Sequence, residues 1–592
     1  MLLSADVQSR HPMKKVLGPI SLTLLCLGHI IGSGIFVLTG VAAHTLAGPA
    51  VTISYGIGAA VAGLSALAFA ELGTQYPLAG ASYNYVLGTF GEFPAWLTVT
   101  TMAADSVLGG GAMARSWSSY LAVMCNRPST FFQMPFHGFN LDFMAVGAVA
   151  AVTTILVLGS SHMAVVNGVG KVCLFLLIGM CLGFSYSHAN PRNWDDFLPF
   201  GARGVFAGAS VIYFSYGGYN ACTNFAEEAK EPARDLPIAL FTSLGVSSVV
   251  YILMACAITL MVPYKLIDLQ APFSVAFHTV HEPWLAQLVS IGAVIAIATV
   301  LIVSMAATTR DFLIMARHNL IPSWLAVVHP DLGTPYRVII AYGLVKSVMA
   351  LLTDFQTLAM LTSVGTLFVT GMVSAALLFH RYHKQGKGDV WPALARLLCV
   401  VASSLGFAIA FDQGLPHYVL GILALFWALS ALSFFTLSVA NWPEVGFAVP
   451  LAPILMSCSI FGDAFLLLSL GRLAIMRFFI VLGIVSVLYV IYGVHGATRH
   501  DAQLADYLAA REVQNDEEAQ AIPSIKRQPE YAPSGTPVAE DCAEFLEGLL
   551  VSPDASSSLS SGSSSPPSLQ LAASRPLPLA SAHQIQATAH SQ

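Results

Sequence analysis

The chain consists largely of apolar stretches that are each about as long as a bilayer is thick. A helix needs roughly 20 consecutive apolar residues to cross the hydrocarbon core of a membrane, and stretches of that length follow one another from residue 17 to residue 494. Only 10% of the residues are charged, whereas soluble proteins carry about 25%. The sequence therefore predicts an all-α polytopic membrane protein. With a formal net charge of -6, no nucleic-acid partner is expected.

Fourteen spans are predicted, and we number them 1 to 14. They cover 17–41, 49–70, 95–123, 141–159, 164–187, 204–225, 237–262, 285–307, 337–353, 357–379, 391–411, 415–437, 448–470 and 473–494. An even number places both termini on one side of the membrane. With the N-terminus in the cytosol, the cytosolic connections carry about twice the Lys and Arg of the external ones, which favours this orientation.

The predicted organisation has four segments. Residues 1–15 form a cytosolic N-terminus, 16–383 form a core of ten spans, and 384–499 hold four additional spans. Residues 500–592 contain the Ser- and Pro-rich run "SSSLSSGSSSPPS", and such a segment buries too little apolar surface to offset the entropy of ordering. We expect this last segment to be a mostly disordered cytosolic tail.

Span 1 carries the residues least suited to a continuous helix at its centre, in "LGHIIGSGIF" (27–36). A break in lipid leaves backbone N–H and C=O groups without partners, so it survives only where protein or a polar cavity supplies them. The alternative is that Gly32, Ser33 and Gly34 only allow neighbouring helices to approach closely.

Span 6 has a similar interruption in "VIYFSYGGYNACTNF" (211–225), at Gly217 and Gly218. Glycine-interrupted spans at matching positions of two halves indicate an inverted repeat with a substrate site between the halves. The N–H groups at the start of a half-helix bind a carboxylate, and exposed carbonyl groups accept hydrogen bonds from an ammonium. One site of this kind suits both ends of an amino acid.

Several longer motifs carry a family resemblance. They are "IIGSGIFVLTG" from residue 30, "FAELGTQYPLAGASYNYVLGTFGEF" (69–93), "FSYGGYNACTNFAEEAKEPARDLPIAL" (214–240), "TTRDFLIMARHNLIP" (308–322) and "SVGTLFVTGMVSAALLFHRYH" (363–383). Over nearly all of 16–500 the chain resembles the cationic amino acid transporters of the amino acid-polyamine-organocation superfamily, in their plant-like form with 14 helices.

The resemblance implies a core of two inverted five-helix halves, with spans 1 and 6 broken, plus four further helices. It also implies secondary transport of arginine, lysine or ornithine by alternating access, in many members coupled to protons or run as exchange. The substrate carboxylate would meet N–H groups at Ser33 and Gly34, and the ammonium would meet nearby carbonyl groups. The predicted substrate-binding residues at the breaks are Ile30, Ile31, Gly32, Ser33, Gly34, Phe214, Ser215 and Gly217.

Asp105, in "TTMAADSVLGGGAMARSW" of span 3, falls where the family has a glutamate. Acids at bilayer depth usually face a cavity or a partner. Asp105 is therefore the candidate for binding a cationic side chain. The alternative is a salt bridge to Arg115, which lies nearly three helical turns away. Asp463 in span 13 replaces a family asparagine and is expected to be protonated or paired at a helix interface.

Two residues are candidates for proton coupling. His29 precedes the first break, and an imidazole that titrates near neutrality suits a proton carrier. Lys171 lies in span 5, where some bacterial relatives have a lysine facing span 1, about one turn later. The plainer alternatives are a hydrogen bond from His29 to a neighbouring carbonyl and a Lys171 side chain that extends to the membrane interface.

Other cargoes and classes remain open at this point. The same architecture serves neutral amino acids, polyamines or γ-aminobutyrate, and a sensor would bind without transporting. An enzyme is not expected, because HExxH, GxSxG and nucleotide-binding loops are lacking. No cofactor or metal is expected, and the nine cysteines, without a CxxC pair, are interpreted as small core residues. The plasma membrane and a vacuolar or endosomal membrane both fit.

Overall fold

The computed structural model describes residues 15, 17–32, 34–77, 80–137, 139–159, 163–317, 321–329, 334–383, 390–439, 441 and 446–493. All described residues belong to the compact unit within Met1–Glu512. The predicted tail at 500–592 and nearly all of the N-terminal segment lie outside the described residues, so those assignments stay predictions.

Helices occupy all fourteen predicted spans, as expected of an all-α polytopic membrane protein. Spans 1 and 6 consist of several short pieces. The other helices are Val51–Gln75, Glu92–Met124, Phe143–Leu158, Met163–Ser187, Pro232–Met261, Pro283–Arg317, Tyr336–Leu352, Phe355–Tyr382, Trp391–Gln413, His417–Ser433, Ala452–Ser469 and Arg472–Leu488. Eight helical runs among the described residues are individually long and apolar enough to cross a membrane, and one of them, Pro19–Gln75, contains spans 1 and 2.

Besides the short 3₁₀ turns Pro191–Trp194, Tyr264–Leu266 and Ser323–Ala326, three elements between the spans were not predicted. Two are short helices, Ala81–Phe90 and Pro272–Thr279. The third is an antiparallel hairpin of β1 (Gln133–Phe136) and β2 (Phe139–Asp142). The predicted start of span 4 at residue 141 is wrong, because β2 runs to Asp142. The carboxylate of Asp142 accepts a hydrogen bond from the Ala145 N–H at 2.9 Å and so caps the helix that follows.

Both predicted breaks are confirmed. The half of span 1 that is predicted to be inner, Pro19–Ile30, ends just before the glycines, and the half that is predicted to be outer begins with the π-helical turn Gly34–Leu38. The first half of span 6 ends in the 3₁₀ turn Tyr213–Tyr216, and its second half is Asn220–Glu228. Gly218, between these halves, has a φ of +119°, which only glycine adopts without strain.

The packing of spans 1 to 10 repeats after five helices. Span 1 packs against span 7, and span 6 packs against span 2. Span 5 packs against spans 8 and 7, and span 10 packs against spans 3 and 2. The pairs 2–7, 3–8 and 4–9 also pack together. In each of these pairs the two spans occupy the same position in the two halves. Contacts that recur after a shift of five spans are expected of two repeats of five helices.

Span 13 joins the four additional helices to the core through a buried polar cluster. Asp463 is only 2% exposed, and its oxygens accept hydrogen bonds from Thr370 at 3.1 Å, Ser65 at 3.2 Å and Tyr213 at 3.3 Å. Ser65 also lies 2.9 Å from Ser459 of span 13. As expected, Asp463 is paired at a helix interface, and its partners come from spans 2, 6 and 10.

Cys26 and Cys222 are buried in the core, as the sequence predicts, but they are not separate small core residues. Cys26, in the inner half of span 1, and Cys222, in the second half of span 6, form a disulfide with a Cα–Cα distance of 5.6 Å. The two residues are 196 positions apart in sequence. Only the folding of spans 1 and 6 against each other brings them together.

Candidate substrate-binding site

A cavity of about 100 Å³ lies where the breaks of spans 1 and 6 meet spans 3, 8 and 10. Eight of the sequence-predicted residues line it: His29, Ile30, Gly32, Gly34, Asp105, Phe214, Ser215 and Gly217. Ile31 is fully buried and is not part of the cavity wall among the described residues. Ser33 and the side chain of Lys171 lie outside the described residues.

The two breaks fit into each other through reciprocal glycines. A Cβ atom on Gly34 would lie 2.5 Å from Ser215 Oγ and 2.8 Å from Ser215 Cα. A Cβ atom on Gly218 would lie 2.6 Å from His29 Cδ2. Each break therefore needs a residue without a side chain where the other passes. The alternative interpretation of these glycines was that they only allow close helix packing. Here they allow close packing and also lie at a polar break.

Tyr251 of span 7 contacts both breaks through its hydroxyl group. Its hydroxyl oxygen lies 2.7 Å from the Ile30 carbonyl oxygen and 2.8 Å from the Ser215 carbonyl oxygen. A hydroxyl has one proton, so it donates to one of these carbonyls at a time. Tyr251 thereby satisfies backbone groups that the breaks set free.

The carbonyl groups predicted to meet an ammonium already have protein partners. The Phe214 carbonyl accepts the Gly217 N–H at 2.9 Å, and those of Ile30 and Ser215 share Tyr251. A carbonyl oxygen has two lone pairs, so each still has room for a second donor. At Gly34 the outer half of span 1 begins, and the first N–H groups of a helix lack partners within it. The breaks thus place carbonyl acceptors next to the start of a helical segment.

Asp105 faces the same cavity and is 9% exposed. Its Oδ2 accepts a hydrogen bond from Thr366 of span 10 at 3.2 Å, and its other oxygen lies against Gly365, where a Cβ would overlap it. No Lys, Arg or His of the described residues lies within ion-pair distance of Asp105. The carboxyl group is therefore held by span 10 beside the cavity.

The alternative for Asp105, a salt bridge to Arg115, is not what the structure has. The Arg115 guanidinium donates to the carbonyl groups of Ala350 at 2.7 Å and Leu351 at 2.8 Å, near the end of span 9. It also donates to the carbonyl of Asn140 in β2. Arg115 therefore fixes the end of span 9 and the hairpin, and does not neutralise Asp105.

The cavity extends towards the predicted cytosolic ends of its helices. In span 3 its wall runs from Met113 back to Met102, and in span 8 from Val300 on to Asp311. On the opposite side the Phe36 ring meets the buried rings of Tyr120 and Phe273 edge-on, with centroids 6.4 and 6.1 Å apart. The structure is thus a conformer whose cavity approaches the predicted inner side.

Sequence reasoning missed several polar residues in or near this cavity, among them Asp311, Asn224 and Lys346. Asp311 and Asn224 line it, but both lie at or beyond the end of a predicted span, where polar residues are common. Lys346 of span 9 is fully buried, with Nζ 4.4 Å from the centroid of the Tyr342 ring and directly against Gly110. A lysine in the middle of an apolar span usually faces the protein interior, so a signal for Lys346 was present.

Comparisons with known proteins agree with this architecture. A sequence model described as amino acid permease matches residues 17–462, and one for the C-terminus of such permeases matches 447–497. The Arabidopsis thaliana protein "Cationic amino acid transporter 1" is 35% identical over 527 residues, which cover 87% of this chain and 88% of the relative. "Cationic amino acid transporter 8, vacuolar", from the same plant, is 34% identical over 504 residues, covering 83% and 85%.

A bacterial relative has a different cargo in its name. "Branched-chain amino acid permease BcaP" of Bacillus subtilis (strain 168) is 31% identical over 418 residues, which cover 67% of this chain and 89% of the relative. The architecture is therefore similar to that of proteins named for cationic and for neutral amino acids.

Proposed function

Because the chain belongs to the amino acid permease family and is a multi-pass membrane transporter of amino acids, we propose that its cargo is the cationic amino acids arginine, lysine and ornithine. The α-carboxylate binds at the start of the outer half of span 1, and the α-ammonium binds the carbonyl groups at the ends of the broken helices. One five-helix half then rocks against the other around this site.

Asp105 is the observation that carries the choice of cargo. Its carboxyl group lies beside the cavity, 9% exposed, with a hydroxyl partner and no cation of the described residues. A buried carboxylate without a counter-charge is costly, and a guanidinium or ammonium on the cargo supplies that charge. The charge of the cargo thereby contributes to its own binding.

Arginine flux into proteoliposomes tests the proposal, with citrulline as the matched uncharged competitor. Citrulline has nearly the shape of arginine and lacks the positive charge, so the difference between the two reports on charge recognition alone. We expect arginine uptake that excess citrulline barely inhibits. Equal competition by citrulline would refute a cationic preference, and saturable binding without flux would identify a sensor.

Neutral amino acids are the second candidate cargo. Apolar side chains form part of the cavity wall, among them Met102, Met113, Val300 and Val369. A relative named for branched-chain amino acids shares the architecture. Leucine uptake that exceeds arginine uptake in the same vesicles would favour this candidate. Polyamines and γ-aminobutyrate are tested as competitors in the same experiment.

We further propose that transport is proton-coupled or runs as exchange, with His29 and Lys171 as the coupling candidates. His29 supports this by its place in the cavity wall. An inward proton gradient should then drive arginine accumulation, and its collapse by an ionophore should end it. Both termini are proposed to be cytosolic, and the protein to reside in the plasma membrane or a vacuolar or endosomal membrane.

A further inference from the structure

The cavity narrows at its inner end at three residues. A second, smaller cavity follows the first in the direction of the predicted cytosolic side, and both are lined by Met102, Asn224 and Asp311. The smaller cavity is also lined by Tyr83 and Met315. Because these three residues belong to both walls, they form the constriction between the two spaces. A cargo that leaves towards the inner side passes them.

Asp311 is held at this constriction by a hydrogen bond whose direction is defined. The Asn224 Nδ2 donates to Asp311 Oδ1 at 3.2 Å, while Asn224 Oδ1 accepts the N–H of Ala81 at 3.2 Å. Since the Ala81 N–H occupies the oxygen of the amide, the amide nitrogen must face Asp311. The carboxyl group of Asp311 is thus an acceptor in this bond, and its second oxygen remains for a donor from the cavity.

The neighbouring arginine does not neutralise Asp311. Arg310 pairs with Glu228 at 3.0 Å and lies over the Phe225 ring, 5.3 Å from its centroid. No cationic side chain of the described residues is within ion-pair distance of Asp311. A carboxyl group that lines a cavity of a membrane protein and has no ion-pair partner attracts cations.

We propose that Asp311 is a second cation-binding position, which receives the cationic side chain of the cargo at the inner constriction after it leaves Asp105. This inference rests on the proposed function. A guanidinium or ammonium that passes Met102 loses water, and a charge-assisted hydrogen bond to the Asp311 carboxylate replaces it. Asp105 then selects the cargo at the central site, and Asp311 determines the apparent affinity from the inner side.

The test is Asp311→Asn, which removes the charge and keeps both the shape and an oxygen that accepts the Asn224 bond. Arginine exchange is measured in proteoliposomes of known sidedness, with the substrate varied separately on the inner and outer face. We expect the inner KM for arginine to rise about tenfold, the change that corresponds to roughly 1.4 kcal/mol, and the outer KM to change little. Asp311→Glu should keep most of the inner affinity.

Two controls separate charge recognition from a structural role. Asp412→Asn makes the same chemical change at an exposed position near the end of span 11 and should leave both KM values unchanged. Inner-side inhibition by citrulline should be the same in the parent and in Asp311→Asn. A loss that affects citrulline and arginine equally would mean that Asp311 only holds Asn224, and would overturn the proposal.

Failure of this inference is distinct from failure of the proposed function. If the parent protein does not distinguish arginine from citrulline, the cationic cargo and the role of Asp311 are both refuted. If the parent prefers arginine and Asp311→Asn keeps the parental inner KM, only the second cation-binding position is refuted.

Discussion

Replacing Asp105 by asparagine tests the site most directly, because the change removes a charge and almost nothing else. The carboxyl group is 9% exposed and accepts the Thr366 hydroxyl at 3.2 Å. An asparagine oxygen still accepts that bond, so the link between spans 3 and 10 is kept. The variant should therefore fold and reach the membrane as the parent does.

The size of the effect follows from the type of bond that is lost. Hydrogen bonds to charged groups contribute about 1.5–3 kcal/mol, which corresponds to roughly 10- to 150-fold in apparent affinity for arginine. A neutral amino acid makes no such bond, so its apparent affinity should stay the same. The ratio of the two affinities isolates the charge from any general damage to the site.

A second variant moves the carboxyl group of Asp105 without removing its charge. A Cβ on Gly365 would overlap an oxygen of Asp105. Gly371 lies six residues further along the same helix, and a Cβ there would be 3.6 Å from its nearest neighbour, Asp463 Cβ. Gly365→Ala should therefore lower arginine affinity, and Gly371→Ala serves as the matched control.

The assay for these variants is competition between arginine and citrulline in proteoliposome uptake, at equal amounts of reconstituted protein. If Asp105→Asn keeps the parental preference for arginine, Asp105 does not bind the side chain of the cargo. Parental behaviour of Gly365→Ala would likewise mean that the position of the carboxyl group is unimportant.

Three further perturbations test other parts of the structure. Gly34→Ala should abolish amino acid uptake, because its Cβ would lie 2.5 Å from Ser215 Oγ. Gly56→Ala, with no atom within 4 Å of the new Cβ, is the control and should transport normally. Uptake by both variants would contradict the close fit of the two breaks. Glu71→Gln breaks a buried ion pair, with 2.5 Å between the closest charged atoms, and should lower the free energy of unfolding by about 3–5 kcal/mol; an unchanged unfolding temperature in detergent would speak against this. Burial raises the pKa of Asp142 above its ordinary 3.8, so the folded protein keeps this proton to higher pH than the unfolded chain, and stability falls as pH rises from 3.8 to the raised pKa. Asp142→Asn should remove this part of the pH dependence in thermal unfolding, and identical pH profiles would exclude the effect.

The features that could be predicted from the sequence are those that a local pattern determines. Glycines at matching positions of spans 1 and 6 indicated both breaks, although glycines alone do not end a helix: Gly109, Gly110 and Gly111 lie within the continuous helix Glu92–Met124. The length of each apolar stretch likewise located the fourteen spans. The apolar context of Asp105 identified it as a residue for a cavity or a partner, and the structure has it in the cavity wall.

The features that were missed depend on contacts between distant parts of the chain. Tyr251 reaches the Ile30 carbonyl over 221 residues, and nothing near Tyr251 in sequence distinguishes it from other tyrosines in apolar helices. Asp311 lies beyond the predicted end of span 8 at residue 307, where charged residues are common, so nothing local marked it as part of a cavity wall. The disulfide between Cys26 and Cys222 likewise has no local signal.

The polar cluster around Asp463 has a consequence for shortening the chain. If translation ended after span 10, the hydroxyl groups of Ser65, Thr370 and Tyr213 would lose Asp463 as an acceptor and would face hydrocarbon where span 13 now lies. Ser65 and Thr370 would keep carbonyl acceptors in their own helices, whereas Tyr213 would keep only the Thr370 hydroxyl at 3.5 Å. Transfer of such groups into an apolar phase without a partner is costly. In a ten-span version of this protein the cost would therefore fall mainly on Tyr213, and replacing it by phenylalanine should make the shortened chain more stable in a bilayer.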